Sequence, residues 1–232
     1  DQATPPSAKS ARAPEMQTWT ASELATFLAR TEGDRYGYVW AFLATSGCRR
    51  GEALGLRWTD LDLIAGSAAF RQQVIPLPKE SGVGREGRIV PGTKGGEARV
   101  IQLDRRTVAM LRTWRRLQAA ERLALGGGYE DNGLVFPRVD GRPYHPEAFS
   151  KTFDRRLRTK AFADLPTIRL HDLRHTWATL ALEAGVDVAV VSKRLGHSSP
   201  VITWGTYQHV RHGMQTDAAE RVAASIFADG SR

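Results

Sequence analysis

The chain has 232 residues, 41% of them apolar, a single cysteine and a formal net charge of +8 at pH 7. This can support one large domain or two small ones, but excludes an internal disulfide framework and a multi-cysteine zinc site, and no apolar run approaches the roughly 20 residues that cross a bilayer. The start of the chain lacks the charged-then-apolar layout of a secretory signal, so a cytoplasmic protein with no membrane attachment is expected, and the positive balance favours an acidic polymer, nucleic acid foremost, as partner.

Residues 1–16 are rich in Pro, Ser and Ala and read as a linker without fixed structure. Thr20-Ala-Ser-Glu23 is a capping box that opens a first helix, with Leu24, Phe27 and Leu28 on its buried side. Tyr36 to Thr45 is apolar on nearly every face and is therefore expected at the centre. Gly47 breaks it, Cys48 reads as core, and Gly51 to Arg57 suggests a further short helix.

From Ala68 to Val100 the pattern changes to strands at Phe70–Ile75, Arg88–Val90 and Arg99–Leu103, with Thr93-Lys94-Gly95-Gly96 as a hairpin turn between the last two. A small antiparallel sheet of three strands is expected. Asp104 caps a long helix to about Leu125, whose Arg105, Arg112, Arg115 and Arg116 are either a solvated face or contacts to a nucleic-acid backbone. Leu134–Phe136 could form a short strand, and Pro146 starts a helix with Phe149, Phe153 and Leu157 every four residues.

His171-Asp-Leu-Arg174-His175 then sets a histidine and an arginine three apart on one helix face, with Leu173, Trp177, Leu180, Ala181 and Ala184 as the apolar stripe that anchors it. Asp187 caps Val188–Leu195, Gly196 turns the chain, and Ser199-Pro200 starts a helix through Trp204 and Tyr207. Trp204 is expected to pack and fix that helix. A last amphipathic segment, with Ala219, Val222, Ala223 and Ile226 at helical spacing, needs a groove to bury its stripe.

Four stretches carry chemistry together: Ser46-Gly-Cys-Arg49-Arg-Gly-Glu52, then Thr93-Lys94, then His171-Asp172-Leu-Arg174, then Leu195-Gly-His197 with Thr206-Tyr207-Gln-His209. In this order they resemble the catalytic domain of the tyrosine recombinases, the phage-integrase family, over roughly Trp19 to Val210. The resemblance implies a mixed α+β, mostly helical fold and a catalytic domain over residues 17–212. The linker before it would lead to a separate DNA-binding domain, and residues 213–232 would form a tail that packs on a neighbouring protomer.

The resemblance further implies site-specific DNA recombination, integrating or excising phage or mobile-element DNA. Tyr207 would be the nucleophile that forms a 3′-phosphotyrosyl intermediate, Arg49 and Arg174 the phosphate clamps, and Lys94 the general acid. His171, as base or proton shuttle, and His197 would complete the pocket, with Glu52 and Asp172 orienting Arg or His side chains from behind. Partners would be double-stranded attachment sites, a homotetramer on paired sites and a DNA-bending accessory factor.

The residue types suit this chemistry without the family. Attack on a phosphodiester builds charge on non-bridging oxygens, which guanidinium forks stabilise, and a phenol with a pKa of about 10 needs a positive field or a base. No cofactor or metal is expected: the carboxylates lie one per box among basic groups. His171 and His175 are spaced like a zinc pair, but the glutamate of that motif is missing and Arg174 lies between them.

Two other readings stand beside this one. Val188 to Tyr207 reads helix, turn, helix, as in a non-catalytic DNA-binding regulator, but such a protein needs neither Arg49 nor Lys94. A type IB topoisomerase would share the chemistry, although the Leu-Gly-His box and the C-terminal segment favour an integrase. Singly, each residue has a blander role: Lys94 as one exposed hairpin lysine, with Lys79 an alternative; His175 as a structural histidine; His209 and His212 on a solvated surface.

Overall fold

Helix α2 (Arg35–Ser46), bounded by the Asp34 carboxylate that accepts from Tyr36 N and by Gly47 at φ 67°, is the element on which the others are laid. It buries Val39, Trp40, Phe42, Leu43 and Ala44, so it presents core side chains in nearly every direction. The structure, a computed structural model, describes residues 16–77, 87–92, 98–197 and 199–207, and near the C-terminus residues 223, 224 and 226.

Helix α1 (Ala21–Arg30) begins at the expected capping box, in which Glu23 accepts from Thr20 N at 2.7 Å and the Thr20 hydroxyl accepts from Glu23 N at 3.2 Å. Helices α3 (Arg50–Gly55) and α4 (Arg105–Leu125) follow, the latter capped by Asp104. Then come α5 (Pro146–Leu157), α6 (Asp172–Glu183), α7 (Val188–Leu195, capped by Asp187) and α8 (Pro200–Thr206, capped by Ser199). Helices α4 and α6 pack on α2, and α7 packs on both α6 and α8.

Trp19, Phe27, Trp40, Phe153 and Phe162 form an aromatic cluster under α2, with Trp40 and Phe153 edge to face at 5.7 Å. Burial of each such ring contributes ~1.5–3 kcal/mol. Beside this main core, a smaller one joins Ala178 and Leu182 of α6, Val191 and Leu195 of α7, and Tyr207. It fixes α7 and the turn after α8 to α6.

The three-stranded antiparallel sheet is present, but built from different segments. Its strands are β1 (Leu61–Asp62), β2 (Ser67–Phe70) and β5 (Arg99–Gln102), while β3 (Gln72–Pro76) and β4 (Gly87–Pro91) make a separate ladder with Val74 opposite Ile89. The stretch Phe70–Ile75 is therefore divided at Arg71, because its first part pairs with β5 and its second with β4. The Arg71 carbonyl, between the two, accepts from Gly92 N at 2.8 Å. Leu134–Phe136 is not a strand: Leu134 forms an isolated bridge to Arg57.

Cys48 is core, as expected, and lies in the turn between α2 and α3. Helix α6 departs further from its expected pattern. Leu173 is fully buried, Trp177, Leu180 and Ala181 only partly, and Ala184 is exposed, whereas Arg174, Thr176 and Thr179 are buried. The reason is that α6 is covered on more than one side, by α2 and α7 and by the chain before α1, where Trp19 N donates to Thr176 Oγ1 at 3.1 Å.

Candidate active site

Two glycine turns bring the boxes together. At Gly47 and Gly196 the chain is in the left-handed region, at φ 67° and 68°, and the space over each is taken: a Cβ at Gly47 would lie 2.7 Å from the Trp177 ring, and one at Gly196 3.1 Å from Nη1 of Arg99. The carbonyls of these turns face two arginines. Arg174 donates to Gly47 O at 2.9 Å and to Leu195 O at 2.8 Å, and Arg49 donates to Gly196 O at 3.0 Å.

Behind Arg49 lies Glu52, whose side chain has no exposed surface. It accepts from Arg49 N at 2.7 Å and Arg49 Nη1 at 3.1 Å, and from both arms of Arg99 at 2.7 and 2.5 Å. Burial alone would raise the Glu52 pKa; the Arg99 fork and charge, then Arg49, hold it below the ordinary carboxylate range. One carboxylate thus serves two guanidiniums, while Arg174 is held by neutral carbonyls. Burial, then the charge of Arg49, lowers the Arg174 pKa to about 10, so it stays charged at neutral pH. This surplus of positive charge suits an anion.

Arg49, His171, Gly196 and His197 line one open cleft of about 750 Å³, together with Gln73 and Ser150. His197 Nδ1 lies 2.7 Å from the hydroxyl of the buried Thr203. Burial, then Arg174 and Arg49, push its imidazole down to about 4. His171 keeps an exposed outer edge, yet desolvation in the cleft, then His175 and Arg174, push it likewise to about 4. Both are neutral at pH 7. Among the described residues no group of three or more His, Cys, Asp or Glu side chains is arranged to hold a metal ion.

Tyr207 ends α8 with 2% of its surface exposed, and its hydroxyl lies 2.8 Å from Nδ1 of His175, one helical turn beyond His171. Burial pushes the phenol up to about 12, against the opposing effect of Arg174. The arginine side chain that Asp172 holds is that of Arg169, which donates to its carboxylate at 3.0 and 2.8 Å. Trp204 keeps 38% exposure, and the fully buried residue of α8 is Thr203. Lys94, Lys79, His209, His212 and residues 217–222 lie outside the described residues.

Of the residues expected in one site, the structure sets Arg49, His171 and His197 on one cleft, Glu52 behind Arg49, and Arg174 and Tyr207 buried beside it. Sequence reasoning gives no role to Arg99 beyond that of a strand residue, and none to the bond between His175 and Tyr207. A signal for Arg99 existed: strand alternation puts it on the same face as the buried Ile101, and a charge on an inward face calls for a partner.

The domain is thus mixed and mostly helical with a small sheet, and it sets Arg49 in a histidine-lined cleft, Arg174 buried beside it, and a buried tyrosine against the same helix as Arg174. A sequence model of the phage integrase family matches residues 20–214, and the chain belongs to that family. It is 30% identical over 213 residues to a XerC-like tyrosine recombinase of Caldanaerobacter subterraneus, covering 89% of this chain and 54% of that protein. To the ICEBs1 integrase of Bacillus subtilis it is 28% identical, over 90% of this chain and 54% of that one. The chain thus spans about half the length of these curated relatives.

Among solved structures, the Tn1549 transposon integrase in complex with transposon right-end DNA superposes with a TM-score of 0.74 at 20% identity, over 92% of this chain and 68% of that one. The XerA recombinase does so with a TM-score of 0.64 at 21% identity, over 89% and 66%. These likenesses show the fold: that of a tyrosine recombinase catalytic domain.

Proposed function

We propose that this domain cuts and rejoins DNA strands in site-specific recombination of phage or other mobile-element DNA, through a 3′-phosphotyrosyl bond to Tyr207. The observation that carries the reading is the cleft lined by Arg49, His171 and His197, with the charged Arg174 buried beside it and Tyr207 packed against α6, the helix that carries Arg174. The scissile phosphate would sit over the two guanidiniums, which gain most from the charge that builds on its non-bridging oxygens during attack. His171 and His197, neutral, would donate hydrogen bonds to those oxygens. Lys94 would protonate the leaving 5′ oxygen. The phosphotyrosine conserves the bond energy, so rejoining needs no ATP, and the arginines supply the positive charge that a metal would otherwise bring.

Double-stranded DNA as partner is supported by the net charge and by the exposed Lys151 and Arg155 of α5, the helix whose Ser150 lines the cleft, and Arg158 directly after it. The Tn1549 integrase, which shares the fold, is itself bound to transposon end DNA. Residues 1–16 would then link to a further DNA-binding domain, the active assembly would be a tetramer on paired sites with a DNA-bending accessory factor, and the segment from Asp217 would pack on a neighbouring protomer. The regulator reading gains no support, because α7 and α8 spend their inner faces on holding His197 and Tyr207. The test is covalent capture of a nicked duplex: the wild type should form a denaturant-resistant adduct and Tyr207→Phe none. An adduct with Tyr207→Phe would remove the nucleophile from this scheme.

A further inference from the structure

We propose that His175, and not His171, is the catalytic group that takes the proton of the Tyr207 hydroxyl as that oxygen attacks phosphorus, with Nδ1 as the receiving atom. This rests on the recombination reading above. The geometry is direct: Nδ1 lies 2.8 Å from the hydroxyl oxygen, and the two rings stand 6.0 Å apart. Tyr207 is 2% exposed overall, so the acceptor in place beside its hydroxyl is a protein group, His175. His171 meets His175 edge to face at 5.0 Å on the cleft side, which leaves it for the phosphate.

The protonation states agree with this assignment. Burial holds the phenol in its neutral form at pH 7, so it needs a base. Desolvation lowers the His175 pKa, with Arg174 and Arg169 acting in the same direction and Asp172 in the opposite one, so its ring is neutral and has a lone pair to offer. Those groups, together with His171, His197 and Tyr207, make up the charged and titratable surroundings of the ring. The proposal requires the tautomer with hydrogen on Nε2, in which the phenol donates and Nδ1 accepts.

The step balances without a co-reactant. The Tyr207 oxygen forms a bond to phosphorus while its O–H bond breaks toward Nδ1, and the bond from phosphorus to the 5′ oxygen breaks as that oxygen is protonated from the general acid. In rejoining, the 5′ hydroxyl attacks, and the phenol leaves with the proton that His175 returns. Protonation of His175 beside Arg174 is temporary and is offset by the negative charge growing on the phosphoryl group.

The test uses nicked duplexes of random core sequence, first selected for covalent capture by the wild-type chain. His175→Ala should slow capture by ~10²–10³-fold. His175→Gln, which can keep a hydrogen bond but cannot take a proton, should be as slow. Both should hold duplex noncovalently within about twofold of wild type, showing that the site is folded. Added imidazole should restore His175→Ala at least tenfold, in proportion to its neutral fraction, and should not restore His175→Gln. Capture by either variant within about threefold of wild type, or rescue by imidazole of His171→Ala instead of His175→Ala, would overturn the assignment. A wild-type chain that captures no duplex would overturn the recombination reading itself, a result distinct from selective failure at His175.

Discussion

Glu52 and Arg99 form a two-pronged ion pair at 2.7 and 2.5 Å inside the domain, with the carboxylate fully buried and the guanidinium side chain 12% exposed. The same arginine donates to Arg194 O at 2.9 Å and covers the Phe70 ring at 4.7 Å, so one side chain of β5 joins the arginine box to the Leu-Gly-His turn. Removing one partner of such a pair strands a buried charge, which costs ~3–5 kcal/mol. We expect Arg99→Met to lose about that much in denaturant unfolding, and Arg99→Lys to recover only part of it, since an ammonium cannot match both oxygens. Unchanged stability in Arg99→Met would show that Glu52 is held without it.

Arg49 and Arg174 do different structural work, and their variants should separate. Arg49 side-chain donors reach Glu52 and one carbonyl, at the cleft, whereas Arg174 closes two buried carbonyls. Arg49→Ala should fold normally and retain duplex while cleavage falls by ~10²–10³-fold. Arg174→Ala should lose cleavage to a similar degree and unfold at lower denaturant as well, because Gly47 O and Leu195 O are left without a donor. Equal stability of the two variants would contradict this division.

Acid should destabilise the domain in a defined window. His171 and His197 titrate at about 4 in the folded chain, below the ordinary value of about 6.5 that applies when it is unfolded. Between these values the unfolded chain binds more protons, so stability is fully present above about pH 6.5 and is lost as pH falls toward 4. Glu52, held below its ordinary range, adds a loss in the same direction at lower pH. The melting temperature should therefore drop from pH 6.5 to 4.5, and His197→Asn should flatten that drop. A melting temperature independent of pH over this window would argue against buried, neutral histidines.

Much of this was legible in the chain because it depends on local rules. Caps at Thr20, Asp104, Asp187 and Ser199, and the glycines at 47 and 196, place helices and turns through contacts only a few residues long. What was not legible depends on what a segment packs against. The break at Arg71 follows from two different strand partners. The burial of Arg174 follows from α6 being covered on more than one side, which no single-face periodicity announces. The sequence reading also gave the base to His171 and left His175 as structural, since nothing in the spacing of His175 and Tyr207 tells that their side chains meet.

The most direct measurement is to identify the residue that carries DNA. Wild-type chain captured on a nicked duplex, digested with protease and nuclease and analysed by mass spectrometry, should yield one nucleotide-bearing peptide, with the modification on Tyr207 through a 3′ phosphate. A nucleotide on any other residue, or capture that persists while the Tyr207 peptide remains unmodified, would contradict the account.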